Sequence, residues 1–414
     1  MEKLEMNCRF CKNPLKHVFV DLGETPLANS YLTKDMLDKT EKKFPLRALT
    51  CEKCFLVQVD EYEKPQNIFN EYAYFSSYST SWLEHVKLFA DEMISRFNLS
   101  KNDQIIEIAS NDGYLLKNFK NKKIPVLGID PAMNVGKMAE NDGIPTVMEF
   151  FSSETAQEII DSGVKARLLI AFNVLPHVPD LNDFVLGMKK IIHENGIIVI
   201  QFSAYLLDVI EKGEFDMVYH EHFSYFSLYT LRKIFEYYDL EIFDVKEIPV
   251  HGGSLRLFIK STKNTSIKIN NSVKELLKKE ENFGLKEITT YIEFQKKVDE
   301  SKKRIQEFFT QIKNERKKIV CYGAAAKGNT VLNFCEIGNK FIDYVADISP
   351  HKQGKFLPGT HIPIFSPEKI KETKPDYIVI LAWNLKDEIM KQIDYVKEWN
   401  GKFVFLIPEV KILK

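Results

Sequence analysis

The sequence predicts an α/β protein in several parts, and three observations carry that expectation. Two Cys-x-x-Cys pairs, Cys8/Cys11 and Cys51/Cys54, lie near the N-terminal end. From about 66 to 260, continuous apolar runs of strand length alternate with helical stretches, the pattern of a parallel sheet covered on both faces. A second alternation of the same kind begins at 317. The expected division is a Cys-anchored module at 1–65, a central α/β domain at 66–260, a helical connector at 261–316 and a further α/β domain at 317–414.

Composition narrows the function. The 57 basic and 58 acidic side chains nearly cancel among 414 residues, so nothing calls for nucleic acid as a partner. No apolar run reaches about 18 residues and Met1-Glu-Lys-Leu-Glu lacks a signal-like apolar core, so a cytoplasmic location without membrane contact is expected. A monomer is the default expectation for such a chain.

The four paired cysteines suit a metal better than disulfides in a reducing compartment. Four thiolates from Cys8, Cys11, Cys51 and Cys54 match tetrahedral, structural zinc with no open position. The long stretch between the pairs must then fold as its own insert, whereas a redox role would need only one pair. Cys321 and Cys335 stand alone in apolar surroundings and read as packing residues.

In the central region the strands are Gln104–Ala109, Val126–Asp130, Arg167–Phe172 and Gly196–Gln201, and Gly253–Ile259 alternates as an antiparallel edge or end strand would. The 261–316 stretch, rich in Lys, Glu and Asn with helical spacing of apolar residues, reads as a solvated amphipathic connector. The final strands are Lys318–Gly323, Phe341–Asp347, Tyr377–Ala382 and Phe403–Ile407.

Ligands of open α/β sheets gather at the carboxyl ends of the strands. Glu107-Ile-Ala-Ser-Asn-Asp-Gly113 turns the first central strand into a helix, and Gly113 allows close backbone approach. Asp130 ends the second strand, where a carboxylate can accept both ribose hydroxyl protons, and Asn173 ends a later one. A nicotinamide dinucleotide would want closely spaced glycines around its pyrophosphate. S-adenosylmethionine has no phosphate and needs none, so Glu107, Ser110, Asn111, Gly113, Asp130 and Asn173 are expected around that cofactor. The C-terminal loop Gly323-Ala-Ala-Ala-Lys-Gly328 places Lys327 before its second glycine, unlike a phosphate loop. Its small residues still let backbone N–H groups face a diphosphate, with Asp347 ending the next strand; a second nucleotide site and a plain packed turn both fit.

Tyr219-His220-Glu221-His222 bunches two imidazoles, a carboxylate and a phenol. His222 is the candidate base, Glu221 or Tyr219 would orient it or meet an enolate oxygen, and His177 follows a strand that points to the same place. The spacing is not that of a zinc protease. The hydroxyl-rich and aromatic stretch from Glu71 to His85 reads as a lid over a polyol, with an N-terminal capping segment as the alternative.

Taken together, these motifs resemble the sugar C-methyltransferases, which methylate carbon 3 or 5 of nucleoside-diphosphate 4-keto-deoxysugars. The resemblance runs end to end, through both cysteine pairs, Pro26-Leu-Ala-Asn-Ser-Tyr31, Tyr74-Phe-Ser-Ser-Tyr-Ser79 and the Glu107–Gly113 loop. It continues with Tyr219-His-Glu-His-Phe-Ser-Tyr225, His251-Gly-Gly-Ser-Leu-Arg256, Tyr322-Gly-Ala-Ala-Ala-Lys-Gly328 and Pro350-His-Lys-Gln-Gly354. It implies a zinc-binding module, a central Rossmann-like class I S-adenosylmethionine methyltransferase domain and a C-terminal Rossmann-like α/β domain that helps hold the sugar nucleotide. It also implies His222 as the base, assisted by Tyr219 and Glu221, with His177 lining the pocket. The substrate contacts it suggests are Tyr74, Ser77, Tyr78, His220, Tyr225, His251, Lys327, Asn329 and Asp347. The chain departs from the family pattern at Gln201-Phe-Ser-Ala-Tyr205, where members carry an acidic residue and a proline, and this bears on the acceptor pocket. Methylation of oxygen or nitrogen, or a scaffold without chemistry, are the alternatives.

Overall fold

The computed structural model describes residues 6–63 and 80–413. Tyr74, Ser77, Tyr78 and most of the expected lid therefore lie outside the described residues, as does the side chain of His251.

The N-terminal module is an antiparallel sheet that starts with β1 (His17–Thr25), β2 (Phe44–Thr50) and β3 (Val57–Val59). The insert between the cysteine pairs thus supplies two of its strands. A helix, Thr80–Phe97, leads into the central domain.

There, β4 (Ile105–Ile108), β5 (Val126–Ile129), β6 (Thr146–Val147), β7 (Ala166–Phe172) and β8 (Ile192–Ser203) run parallel. All four residues of β4 are buried, as an isoleucine-rich strand between two helical layers must be, and each buried isoleucine contributes about 1.5–3 kcal/mol. Ser224–Tyr225, β9, then leaves this domain to pair with β3 as the fourth strand of the N-terminal sheet. The central sheet is finished by β10 (Leu240–Ile248) and β11 (Ser254–Ser261), in the order β10-β11-β8-β7-β4-β5-β6. Contrary to the sequence expectation, β11 is not an edge or end strand. It lies between β8 and β10, antiparallel to both and buried along its whole length, and β10 is the edge. Its polar Arg256 misled because a hydrogen-bonded guanidinium can stand inside a sheet.

Three helices follow, Asn271–Phe283, Ile288–Ile292 and Phe294–Asn314; the last buries Phe294, Val298, Ile305, Phe308, Phe309 and Ile312. The C-terminal sheet contains β12 (Ile319–Tyr322), β13 (Val345–Ala346), β14 (Ile364–Phe365), β15 (Tyr377–Ile380), β16 (Lys402–Phe405) and the antiparallel β17 (Lys411–Leu413). Its order is β14-β13-β12-β15-β16-β17. The strand expected over Phe341–Asp347 is reduced to two paired residues, because Phe341 is still held in a turn by Gly338. Cys321 and Cys335 are fully buried, as expected of packing residues. Among the described residues, no helix is long and apolar enough to cross a membrane.

Both parallel sheets reverse strand order beside their first strand, at β4/β7 and β12/β15. Crevices outside such points receive ligands.

Candidate active site

The Sγ atoms of Cys8, Cys11, Cys51 and Cys54 lie within 4.8 Å of one another. The pairs Cys8–Cys54 and Cys11–Cys51 are 3.5 Å apart, and Cys11–Cys54 3.7 Å. Ligands about 2.3 Å from a tetrahedral zinc stand about 3.8 Å from each other, so these thiols fit the ion.

At the β4 switch point, Ala109, Asn111 and Gly113 all take left-handed backbone angles, which coils the loop tightly. A Cβ at Gly128, on the adjoining strand, would strike Ser110 Oγ. Glu107 is wholly buried, yet neither carboxylate oxygen has a hydrogen-bond partner among the described residues, and the same holds for Ser110 Oγ and Asn173 Oδ1. Burial, then the neighbouring Asp130 and Asp112, hold the Glu107 carboxyl well above its ordinary range. Buried polar atoms of this kind are stable only when something meets them. A ligand carrying hydroxyls and a positive charge, as S-adenosylmethionine does, fits. Asp130 is partly used already: its two oxygens accept the N–H groups of Asn111 and Ala132 at 2.8 and 2.9 Å. A carboxylate offers about four lone-pair sites, so capacity remains for a ribose.

The reactive cluster sits where the central domain meets the other two. The short turn Phe215–Met217 presents the Met217 carbonyl to His222 Nδ1 at 3.0 Å and to the Tyr225 hydroxyl at 3.2 Å. A carbonyl only accepts, so His222 carries its proton on Nδ1, and Nε2 faces the Tyr219 hydroxyl at 2.7 Å. His177 Nδ1 likewise donates to the Glu221 carbonyl at 2.7 Å, and the two imidazole rings lie edge to face, 4.7 Å between centroids. Burial pushes His177 down to about 4; burial, then His177 and Lys327, hold His222 well below the ordinary imidazole range. Both rings are therefore neutral near pH 7, the form that can accept a proton.

Glu221 joins this cluster through its backbone rather than its carboxylate. Asn29 Nδ2 donates to both carboxylate oxygens at 2.8 and 2.9 Å, and burial pushes the group up to about 7. His220 turns away: it packs against Phe44 and Tyr62, with Nε2 facing the Pro45 carbonyl at 3.2 Å.

The C-terminal domain closes the site from the other side. Trp383 Nε1 donates to the buried Asp216 at 2.6 Å, and its ring abuts Gly252. Lys327 donates to Asn384 at 2.7 Å and lies over the Trp383 ring; burial draws its amine down. Asp347 spends both oxygens on the backbone N–H groups of Ala324 and Ser349, at 2.7 and 2.8 Å. Asn329 donates to the Ala28 carbonyl at 3.4 Å, so it contacts the N-terminal arm. Tyr31 from that arm donates to the Ala324 carbonyl at 2.6 Å, which Lys352 also reaches at 2.8 Å.

Sequence reading missed Asn29, Tyr31, Lys352, Asp216 and Trp383 as site residues. Asn29, Tyr31 and Lys352 lie inside motifs that carry the family resemblance, which was the available signal. Asp216 and Trp383 gave none.

Comparison with known proteins bears on this geometry. Family models match three consecutive stretches: a zinc binding domain at residues 8–69, a methyltransferase domain at 82–245 and a C-methyltransferase C-terminal domain at 249–408. The C-methyltransferase NovU of Streptomyces niveus is 32% identical over 406 residues, covering 98% of this chain and 96% of that protein. The chain belongs to the C-methyltransferase family. This C-methyltransferase is thus an S-adenosylmethionine-dependent enzyme, and its four-cysteine cluster is a zinc site. Among solved structures it is similar to the magnesium protoporphyrin IX methyltransferase of Synechocystis PCC 6803, at 14% identity over 43% of this chain and 79% of that chain, with a TM-score of 0.33. It is also similar to an S-adenosylmethionine-dependent methyltransferase from Clostridium acetobutylicum, at 12% identity over 43% of this chain and 92% of that one, with a TM-score of 0.34.

Proposed function

We propose that this C-methyltransferase acts on a nucleoside-diphosphate 4-keto-deoxysugar, at the carbon alpha to the ketone, C3 or C5. The observation that carries the reading is the Tyr219–His222–Met217 arrangement. It holds a neutral, buried imidazole with its proton fixed on Nδ1 and Nε2 facing a phenol.

A sulfonium methyl donor is already activated, so the protein's task is to make the acceptor carbon nucleophilic. His222 Nε2 takes the proton next to the ketone while the C–H electron pair moves into an enolate. Tyr219, displaced from Nε2, donates its hydroxyl to the enolate oxygen. The enolate's charge in turn raises the proton affinity of an imidazole that burial had lowered. His177, held by the Glu221 carbonyl, walls the same space. Glu107, Ser110, Asn111, Gly113, Asp130 and Asn173 hold the donor. Lys327 takes the diphosphate between the two α/β domains, since the N–H groups of Gly323, Ala324 and Ala325 are already spent on Ala346, Asp347 and Gly323.

The test is mass spectrometry of a panel of nucleotide-linked 4-keto-6-deoxy sugars in deuterated water, with and without S-adenosylmethionine. Enzyme-dependent deuterium uptake without the donor, and a gained methyl with it, is the expected result. A methyl gained only on reduced sugars, without exchange, would move the reading to oxygen methylation.

A further inference from the structure

We propose that the first zinc knuckle, Cys8 to Cys11, is the common anchor of the two imidazole-bearing segments, with Arg9 as a positioning residue for His222. The proposal rests on the reading of His222 as the base.

Arg9 stands between two zinc ligands, and its guanidinium reaches out of the module. Nη1 donates to the Phe223 carbonyl at 2.9 Å, on the residue that directly follows His222, and the guanidinium also lies over the Phe223 ring. The same carbonyl accepts the Val59 N–H at 3.0 Å, where β3 runs on into its pairing with β9. Within the knuckle, the Arg9 N–H donates to Gln58 Oε1 at 2.8 Å. Gln58 is wholly buried, its Nε2 lies 3.4 Å from Cys8 Sγ, and across the sheet it pairs with Ser224. One path therefore runs from a metal ligand to the strand that follows the base.

A second path reaches His177. The carbonyls of Arg9 and Phe10 both accept from Asn182 Nδ2, each at 3.0 Å. Asn182 lies in the first turn of the helix Leu181–Ile191, just beyond the turn Leu175–His177. A knuckle closed by a four-coordinate ion is rigid, and its backbone carbonyls and its one guanidinium grip both segments. A base must stand within hydrogen-bond reach of its proton, and a shift of about 1 Å costs about 10²-fold in rate.

The experiment compares Arg9→Ala, Arg9→Lys, Asn182→Ala and His222→Ala in the full-length, zinc-loaded protein. It measures zinc content, S-adenosylhomocysteine affinity, thermal midpoint, the kcat/KM pH profile and turnover on whichever panel sugar is methylated. Spectra of ¹⁵N-histidine-labelled protein report the imidazoles without any acceptor. Arg9→Ala is expected to keep its zinc and S-adenosylhomocysteine affinity, move the His222 resonances and lose about tenfold or more in kcat. Its KM should change by no more than about threefold. Arg9→Lys, which keeps a donor, should recover most of that loss. Wild-type kcat and unmoved imidazole signals in Arg9→Ala, with only a lower midpoint, would overturn the proposal. If Arg9→Ala sheds zinc, Asn182→Ala decides, since it touches no ligand: unchanged turnover and spectra there also overturn it. His222→Ala with wild-type turnover would sink the base assignment itself. An inactive His222→Ala beside an unimpaired Arg9→Ala sinks the anchor alone.

Discussion

The Tyr219 hydroxyl lies 2.7 Å from His222 Nε2, while the opposite nitrogen of that ring is committed to the Met217 carbonyl. The two partners leave the imidazole one tautomer. His222→Ala should lower turnover by about 10²-fold or more while leaving S-adenosylhomocysteine binding near wild type. Tyr219→Phe, which keeps the ring and removes only the donor, should lose about tenfold in kcat. Isothermal titration and steady-state kinetics on the same preparations check both. A Tyr219→Phe enzyme slower than His222→Ala would reverse the roles assigned here.

Glu221 gives a pH signature with a definite sign. Burial raises its folded-state pKa to about 7, above the ordinary glutamate value. Between those two values the folded protein binds more protons than the unfolded chain, so this group's contribution to stability falls as pH rises. Buried, neutral His177, pushed down to about 4, works the other way: its contribution rises with pH from about 4 to the ordinary imidazole value. The two slopes oppose each other in the wild type. Glu221→Gln removes one of them, so its midpoint should gain on wild type steadily as pH rises toward 7. Parallel melting curves across that range check this, and a constant offset would contradict it.

Glu107 sets binding against folding. Its carboxylate is buried with neither oxygen partnered. Glu107→Gln removes a carboxyl that burial and its acidic neighbours keep from ionising, so the ligand-free protein should melt higher near neutral pH, while affinity for S-adenosylhomocysteine falls by about 10- to 100-fold. Calorimetry of the free and ligand-bound variant separates the two effects. A variant that binds normally would remove Glu107 from the donor site.

Trp383 and Asp216 tie the C-terminal domain to the turn that holds His222. Trp383→Phe strands a fully buried carboxylate and should cost about 1–3 kcal/mol in urea unfolding. Adding Asp216→Asn should return part of that loss. A neutral single variant would mean the contact is not made in solution.

How much of this was legible in the sequence depends on the range over which each signal acts. β4, β7 and β8 were readable because a strand buried on both faces is a continuous apolar run. β11 was misread because alternation marks polar side chains, not exposure: Arg256 is buried, with Nε and Nη2 on Gln201 Oε1 at 2.9 and 2.7 Å. Asp130 and Asp347 were picked out correctly as strand-end carboxylates. Their shared use, bracing the preceding loop with one oxygen and their own turn with the other, could not be read from spacing. The grip of Asn29 on Glu221 spans 192 positions and leaves no local trace. His220 shows that neighbours in a reactive run can part company, since its ring packs on Phe44 and Tyr62 while His222 faces Tyr219.

β9 has a consequence for how the chain is made. The N-terminal sheet can bind its metal and pair three strands as soon as residue 59 is available, but its outer edge stays open until Ser224–Tyr225 arrive. A ribosome adding about 5–20 residues per second leaves β3 without that partner for many seconds. During that interval an unpaired strand edge is a template for other chains. Residues 6–63 produced alone would keep that edge permanently, so a fragment cut at the apparent module boundary should bind zinc and still aggregate.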